Sequence, residues 1–392
     1  MSHSPYHNKT VFAAACLAIF LFGVTMISLG TLMPFIGTHA GLGGMAKGSL
    51  ATILPFGILA GSMIFGPVID RYGFRYLLTV SSVLLGAGFL MITRAESFNV
   101  LLSAFFLIGT GGGVLNGSSN ALVSGLSEDT GENKAANLSL MGVFYGIGAL
   151  GMPSVLALLI RNFRYNDIVT GIGWFMLAPA LFFLLIRYPA PASGAKISLK
   201  NWLNLLGTPL MLLIGMIGFF QSGLESMVNT WFTTYLTGNL GVNEKEALFT
   251  LTLFVAVFTA TRLILGFVLR KIKPSTVIRL SMMIVILGIL LLVFYWQFNV
   301  AVIAVVLTGI GLASTFPIIT GHTGDLFKSQ PGTAMSILFT LSLTGNMSIN
   351  YLTGWFTART ALKSYPYLFL TVAIFTFIYI GLFYRRYQKI NN

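Results

Sequence analysis

One acidic side chain interrupts a long apolar stretch of the sequence. Glu225 lies within residues 209–236, with Gln221 four positions before it and Asn229 four positions after it. In an α-helix such positions advance by only about 40° per step, so the three side chains share one face. An ionised group at the centre of a bilayer costs about 2.5–3.5 kcal/mol and normally faces a cavity or a partner. The spacing therefore predicts a polar stripe that lines water or a substrate. A buried glutamate that serves packing alone is the alternative.

Two pairs of asparagines have the same helical spacing. Asn116 and Asn120 form one pair, and Asn346 and Asn350 form the other. Carboxamides both donate and accept hydrogen bonds, which suits the hydroxyl groups of a sugar or another polyol. Hydrogen bonds between helices, without a ligand, are the alternative. Trp231 follows the acidic residue by six positions. Its ring is expected either to stack on a sugar or to belong to an aromatic belt at the membrane surface.

Apart from residues at or near the end of a span, Arg262 is the only basic residue inside a predicted span. At 1.5 Å per residue it lies about 10 Å from the cytoplasmic end of its helix, and Glu225 is expected to lie deeper. This separation leaves direct pairing of the two side chains open. We expect Arg262 to act in a gate or to face the cavity. Extension of its side chain to the membrane surface is the alternative.

Other reactive residue types have no spacing that would support catalysis. The four histidines, His3, His7, His39 and His322, form no paired metal-ligand pattern. The run Gly109-Thr-Gly-Gly-Gly113 is not a phosphate loop, because no Lys-Ser/Thr follows it, and its small residues suit close helix packing. We therefore expect a protein that is not an enzyme and binds neither a metal nor a cofactor.

The elements that must carry these residues are membrane helices. The chain has 392 residues, of which 56% are hydrophobic and 8% charged, whereas about a quarter of an ordinary soluble domain is charged. A helix that crosses a bilayer needs roughly 20 predominantly apolar residues. Stretches of this kind occur at residues 11–36, 49–69, 76–94, 99–126, 138–160, 168–187, 209–236, 247–269, 275–297, 299–321, 332–356 and 365–384. The pattern predicts an all-α membrane protein with twelve transmembrane helices.

The chain is predicted to form two related halves of six helices each. Residues 1–187 would form the first half and 202–392 the second, joined by a cytoplasmic linker at 188–201 that is rich in Pro, Ala, Ser and Gly. A shift of 200 positions relates the halves in register, for example Gly66 to Gly266 and Gly109 to Gly309. Parallel repeats of this kind predict pseudo-symmetric halves with a substrate site between them near the bilayer midplane.

The positive charges follow the topology of a membrane protein. The net charge is +13, but Lys and Arg are scattered over short loops and form no patch for nucleic acid. With the N-terminus inside, fifteen basic residues fall in cytoplasmic segments and seven in outer loops. The positive-inside rule therefore predicts an inner-membrane protein with both termini in the cytoplasm. The first apolar stretch is too long for the core of a signal peptide, so we expect it to remain as a span.

The loop after the second span carries a recognisable motif. It reads Gly66-Pro-Val-Ile-Asp70-Arg71-Tyr-Gly73-Phe-Arg75 and resembles the signature loop of the major facilitator superfamily. Gly73 permits a tight turn, and Asp70 can accept either the positive end of a neighbouring helix or an arginine. The resemblance implies that Asp70, Arg71, Gly73 and Arg75 take part in gating on the cytoplasmic side. Arg262 is a candidate for the counterpart of this loop in the second half.

The seventh span narrows the resemblance. Gly223, Glu225, Trp231 and the pair Tyr235-Leu236 are similar to the seventh helix of the fucose/galactose/glucose proton symporters. That family uses an acid in helix 1 and another in helix 4, which this chain lacks. Thr25 and Ser28 lie in span 1 instead, and Asn116 lies at what corresponds to the acid of helix 4. Glu225 is then the candidate proton carrier, with uniport or coupling to another ion left open.

These features together predict a secondary transporter that works by alternating access. We expect a small polar solute, most simply a sugar, to bind Gln221, Glu225, Asn229, Trp231, Asn116, Asn120 and Asn346. The lipid bilayer and protons are the other expected partners, and the protein is expected to be a monomer. An exporter of amphipathic compounds or drugs on the same fold is the alternative, and the sixteen methionines are compatible with it.

Overall fold

The computed structural model describes residues 6–39, 44–160, 162–190 and 199–391, and the regular elements within these ranges are all helices. Residues 191–198 of the predicted linker lie outside the described part of the chain. The helices of the first half of the chain are α1 (Asn8–His39), α2 (Gly44–Tyr72), α3 (Phe74–Thr93), α4 (Phe98–Thr130), α5 (Lys134–Leu159), α6 (Tyr165–Leu177) and α7 (Pro179–Leu185).

A short helix, α8 (Leu199–Leu206), precedes the helices of the second half of the chain. These are α9 (Pro209–Ser226), α10 (Phe232–Leu240), α11 (Glu244–Val268), α12 (Pro274–Phe294), α13 (Phe298–Leu326), α14 (Pro331–Thr360) and α15 (Tyr365–Asn391). A π-helical turn at Met227–Trp231 joins α9 to α10.

Every predicted span coincides with helical structure. Among the described residues, eleven helical stretches are long and apolar enough to cross a membrane. The eleventh predicted span, 332–356, is helical as α14 but is less apolar than the others, because Ser, Thr and Asn recur along it. The apolar runs therefore predicted the positions of the helices. The exception in composition is α14, which is helical although it is rich in polar residues.

Two predicted spans are not continuous α-helices. The span at 168–187 is divided into α6 and α7 at Pro179, whose ring lacks the N–H that a continuing helix would use. The span at 209–236 contains the π turn, which interrupts the α-helical register directly after Ser226. The second interruption matters more for the site, because it lies within two residues of Glu225.

The chain divides into two compact units that do not follow the order of the sequence throughout. The first unit comprises Met1–Gly131, Phe144–Asn201 and Phe327–Ser336. The second unit comprises Glu132–Val143, Trp202–Leu326 and Ile337–Asn392. Consequently α5 begins with residues of the second unit, and α14 begins with residues of the first.

Close packing in the first unit depends on glycines of α2 and α4. A Cβ atom added at Gly61 would lie 2.2 Å from the carbonyl oxygen of Thr110, and one added at Gly113 would lie 2.2 Å from that of Ile58. Any side chain at these positions would force the two backbones apart. The prediction that the glycine-rich run of span 4 serves helix packing is confirmed.

Gly73 forms the turn between α2 and α3. Its φ is 77° and its ψ is −175°, a conformation that is essentially restricted to glycine. The turn ends α2 and begins α3. Asp70 and Arg71 lie just before it, and Arg75 lies just after it.

We predict that Gly73→Ala lowers stability by about 1–3 kcal/mol, because an L-residue is strained in this conformation. The measurement is the apparent melting temperature of the purified protein in detergent. Gly125→Ala in α4 is the matched control, since an added Cβ there meets nothing within 4 Å. Equal melting temperatures for the two variants would contradict the assignment of strain to Gly73.

Candidate functional site

Glu225 lies one residue before the end of α9, in the second unit. Its side chain is half-buried, and its Oε1 atom is buried without a hydrogen-bond partner. Gln221 lies one helical turn earlier, is fully buried and hydrogen-bonds the Glu225 carboxyl group. The Nε2 of Gln221 also donates to the carbonyl oxygen of Leu312 on α13, at 3.0 Å. The amide is thereby fixed between a neighbouring helix and the carboxylate.

Arg262 on α11 supplies the positive charge that acts on Glu225. Both residues belong to the second unit, and the guanidinium also lies over the ring of Phe258, 4.5 Å from its centroid. The charge of Arg262 thus acts on the Glu225 carboxyl group, and direct pairing of the two side chains stays open. Opposite charges that compensate each other lower the cost of holding either inside a membrane helix.

The π turn changes the positions of the residues that follow Glu225. Gln221 and Glu225 keep the expected separation of one α-helical turn, but the π turn intervenes before Asn229, which is exposed. The hydroxyl of the buried Tyr365 donates to the carbonyl oxygen of Met227 at 3.1 Å. A π turn leaves backbone groups without their α-helical partners, and Tyr365 satisfies one of them.

Trp231 ends the π turn and contacts α14. Its Nε1 donates to Oδ1 of Asn350 at 2.5 Å, and the Nδ2 of Asn350 lies 3.4 Å from Oγ1 of Thr230. The indole packs against Gly354, where an added Cβ would lie 2.8 Å from Cζ2. Asn346, one turn before Asn350, donates to the carbonyl oxygen of Ser222 at 3.3 Å. The second unit thus brings the predicted residues of α9 and α14 together around the π turn.

The other asparagine pair belongs to the first unit. Asn116 and Asn120 are both buried in α4. The Nδ2 of Asn120 donates to the backbone oxygen of Asn116 at 2.8 Å and lies 3.2 Å from its Oδ1. The two carboxamides are therefore bonded to each other within one helix. Thr25 and Ser28 of α1 are also fully buried, and their hydroxyls donate to backbone oxygens of their own helix.

The residues of the signature loop are held within the first unit. Asp70 is 2% exposed and accepts three hydrogen bonds from the start of α14: from the Gly332 amide at 3.0 Å, the Thr333 amide at 2.8 Å and the Thr333 hydroxyl at 2.6 Å. Of the two partners expected for Asp70, the structure has the positive end of a helix. The two partner residues were not predicted, although Pro331 marks a helix start in the sequence.

The basic residues of this loop have local partners. The Nε of Arg75 donates to the carbonyl oxygen of Leu184 at 2.6 Å, and the Arg71 guanidinium lies 5.1 Å from the centroid of the Tyr72 ring. Burial raises the pKa of the Tyr188 hydroxyl, and the charge of Arg75 acts in the opposite direction. Arg75 thus connects the start of α3 to the end of α7.

Comparison with known proteins identifies the family. The model of the Major Facilitator Superfamily matches residues 15–299 and 225–391. The chain belongs to the major facilitator superfamily. Members of this superfamily are transporters of small-molecule substrates rather than enzymes, and this chain is a multi-pass membrane protein.

Two curated superfamily relatives match almost the whole chain. The glucose/mannose transporter GlcP of Bacillus subtilis is 24% identical over 379 residues, which cover 91% of this chain and 90% of GlcP. The probable nitrate transporter NarT of Staphylococcus haemolyticus is 20% identical over 375 residues, which cover 91% of this chain and 92% of NarT. Both relatives are transporters, and they are named for different substrates.

Solved structures of superfamily members share the fold. The outward conformation of FucP, the fucose:proton symporter of E. coli, is similar with a TM-score of 0.79 and 18% identity over 95% of this chain and 98% of FucP. The proton:xylose symporter XylE is similar with a TM-score of 0.76 and 15% identity over 96% of this chain and 95% of XylE. At such identities the likeness establishes the major facilitator fold.

We predict that Asp70→Asn destabilises the protein by about 1–3 kcal/mol, because it removes a buried charge that accepts three hydrogen bonds. The measurement is again the apparent melting temperature. Asp167→Asn is the matched control, since Asp167 also lies in the first turn of a helix, α6, but is exposed. An exposed acid at a helix start contributes only about 0.3–1 kcal/mol. A smaller loss for Asp70→Asn than for Asp167→Asn would contradict this account.

Proposed function

We propose that this protein is a secondary active transporter that moves a sugar across the inner membrane by alternating access, coupled to protons through Glu225. The proposed architecture has twelve spans in two halves, residues 1–187 and 202–392, joined by the linker 188–201, with both termini in the cytoplasm. The proposed substrate-binding residues are Gln221, Glu225, Asn229, Trp231, Asn116, Asn120 and Asn346.

The observation that carries the proposal is the environment of the Glu225 carboxyl group. It lies in a membrane-spanning segment, is half-buried, and has one buried oxygen without a hydrogen-bond partner. Arg262 and Gln221 act on it as a charge and a hydrogen-bond partner. A carboxyl group that is partly accessible and has a compensating cation can exist in both protonation states, as a proton carrier must.

A sugar is supported by the chemistry of the side chains around the π turn. Asn346 and Asn350 have carboxamides, Trp231 has a large ring, and Asn229 and Thr230 are exposed polar residues. Amides that donate and accept suit vicinal hydroxyl groups, and an indole offers a face for stacking. GlcP, FucP and XylE are named for sugars, which favours the same class of substrate here.

A small oxyanion such as nitrate is the second candidate. Arg262 lies in a membrane-spanning segment, and a guanidinium binds planar oxyanions through parallel hydrogen bonds. The match to NarT is compatible with this candidate. Glu225 favours the sugar over the anion, because its carboxylate would repel an anion close to Arg262.

We predict that Glu225→Gln abolishes uptake of labelled glucose driven by a pH gradient but preserves glucose exchange at equal pH. The substitution keeps the shape and the hydrogen bond to Gln221 but cannot carry a proton. The measurement uses proteoliposomes with labelled glucose, and labelled nitrate tests the second candidate. Glu246→Gln is the control, since Glu246 is exposed in the first turn of α11.

Three results would decide between the readings. Loss of exchange together with uptake would make Glu225 a substrate ligand instead of a proton carrier. Gradient-driven uptake that survives Glu225→Gln would reject the proposed coupling. Exchange of nitrate without exchange of glucose would replace the sugar with the anion.

A further inference from the structure

Tyr365 is the first residue of α15, and its side chain is fully buried next to the π turn. Its hydroxyl donates to the carbonyl oxygen of Met227, the first residue of the turn, at 3.1 Å. Both residues belong to the second unit. A π turn replaces the i→i+4 hydrogen bonds of an α-helix with i→i+5 bonds and is rare. The hydroxyl of Tyr365 therefore stabilises an unusual backbone geometry at the point where it begins.

The ring of Tyr365 is held in place by a cluster of buried aromatic residues. It stacks on Tyr235 of α10, with centroids 5.2 Å apart and an interplanar angle of 30°. The centroid of Phe369, one turn later in α15, lies at 5.6 Å, and that of Phe232 in α10 lies at 6.5 Å. All three neighbours are buried. A ring that is packed on several sides has little freedom to rotate, so its hydroxyl keeps its direction toward the turn.

The other end of the turn is fixed by α14. Trp231, the last residue of the turn, donates through Nε1 to Oδ1 of Asn350. Between the two ends, Val228 is fully buried, whereas Asn229 and Thr230 are exposed. The register of the turn thus decides which of its side chains face outward.

An α-helical path through the same residues would present different side chains. An α-helix turns by about 100° per residue, whereas a π turn needs about one more residue for each full turn of the backbone. Across the five residues Met227–Trp231, the α-helical path would rotate the last residues forward by most of one residue position. Thr230 would then move from the exposed face toward α14, and the indole of Trp231 would leave Asn350.

We propose that Tyr365 is a positioning residue of the proposed substrate-binding site. Its hydroxyl stabilises the π register, which directs Asn229 and Thr230 outward and holds Trp231 on α14. The inference rests on the proposed function, because Asn229 and Trp231 are among the proposed substrate-binding residues. Tyr365 is itself fully buried, so it acts on binding through the turn and not by contact with the substrate.

The exposure of Thr230 tests the register. Cys16→Ala removes the single natural thiol, and Thr230→Cys then introduces a reporter that N-ethylmaleimide alkylates in the purified protein in detergent. Tyr365→Phe keeps the ring but removes the donor, so that a buried acceptor loses its partner. We expect this change to slow the alkylation about three-fold or more. Tyr379→Phe is the matched control in α15, since the ring of Tyr379 packs on Phe220 of α9, and it should leave the rate unchanged.

Slower alkylation distinguishes a change of register from a loss of folding, because unfolding exposes a thiol and speeds the reaction. In protein that keeps it, Cys16 reports unfolding separately, since it is buried in α1. Its alkylation should not rise in Tyr365→Phe. An equal or faster reaction of the Thr230→Cys thiol in Tyr365→Phe, or no reaction of this thiol when Tyr365 is present, would overturn the proposal.

An isosteric pair of variants covers the case in which Tyr365→Phe impairs folding. Para-aminophenylalanine in place of Tyr365 keeps a donor at the same position, whereas para-methylphenylalanine keeps the volume without a donor. The amino variant should react at the rate measured with tyrosine, and the methyl variant should react about three-fold or more slowly. Equal rates in the two variants would overturn the proposal.

Glucose exchange in proteoliposomes connects the turn to the site. Tyr365→Phe is expected to raise the glucose concentration for half-maximal exchange about five-fold and to leave the maximal rate within about two-fold. Tyr379→Phe should change neither quantity. An unchanged half-maximal concentration despite slower alkylation would overturn the link between the turn and the site.

The two measurements separate this inference from the proposed function. Alkylation requires no transport, so a change of register in a protein that exchanges no glucose would reject the proposed function and support the role of Tyr365 in the turn. Glucose exchange with unchanged alkylation and an unchanged half-maximal concentration in Tyr365→Phe would do the reverse.

Discussion

A carboxylate inside a membrane helix must have compensating neighbours, and this constraint shapes the second unit. Glu225 has Arg262 as its counter-charge and Gln221 as its hydrogen-bond partner. Gln221 is in turn fixed by the carbonyl oxygen of Leu312. Three helices, α9, α11 and α13, therefore contribute to one electrostatic arrangement. Apolar side chains in the same places would cost less free energy. A membrane protein therefore keeps such an arrangement where it serves a function.

The starts of α5 and α14 present a related problem, since the first turn of a helix has backbone amides without partners. Asp70 satisfies two of them in α14 with a buried carboxylate, so that helix start belongs to the first unit. The start of α5 is bonded through Asn133 and Asn137 to the end of α11, and it belongs to the second unit. Asp70 and Arg270, which are 200 residues apart, thus both bond the first turns of a helix, Asp70 through backbone amides and Arg270 through the side chain of Asn137.

The sequence predicted the helices and the residues of unusual chemistry well, because both depend on local composition. Apolar runs mark each span, and Glu225, Arg262 and Asp70 are conspicuous where charges are scarce. Gly73 was predictable as a turn, since glycine in the signature loop implies a conformation that other residues avoid.

The π turn and the partners of Asp70 were not predictable in this way. The π turn depends on tertiary contacts such as the hydroxyl of Tyr365 on the Met227 carbonyl, 138 residues away in the chain. The contact of Asp70 with Thr333 spans 263 residues, and the position of Arg262 on Gly142 depends on which glycine faces α11. Helical periodicity predicts which residues share a face of a helix but not which element packs against that face. The π turn changes the positions of Asn229 and Trp231, so their surroundings could not be predicted from the spacing alone.

The central claim is that Glu225 changes its protonation state within the membrane-spanning part of the protein. Infrared difference spectroscopy of the purified protein between acidic and alkaline buffer tests it most directly. The account predicts a carbonyl stretch of a protonated carboxyl group that appears in the wild type at acidic pH and is absent from Glu225→Gln. The same band in both proteins would contradict the account.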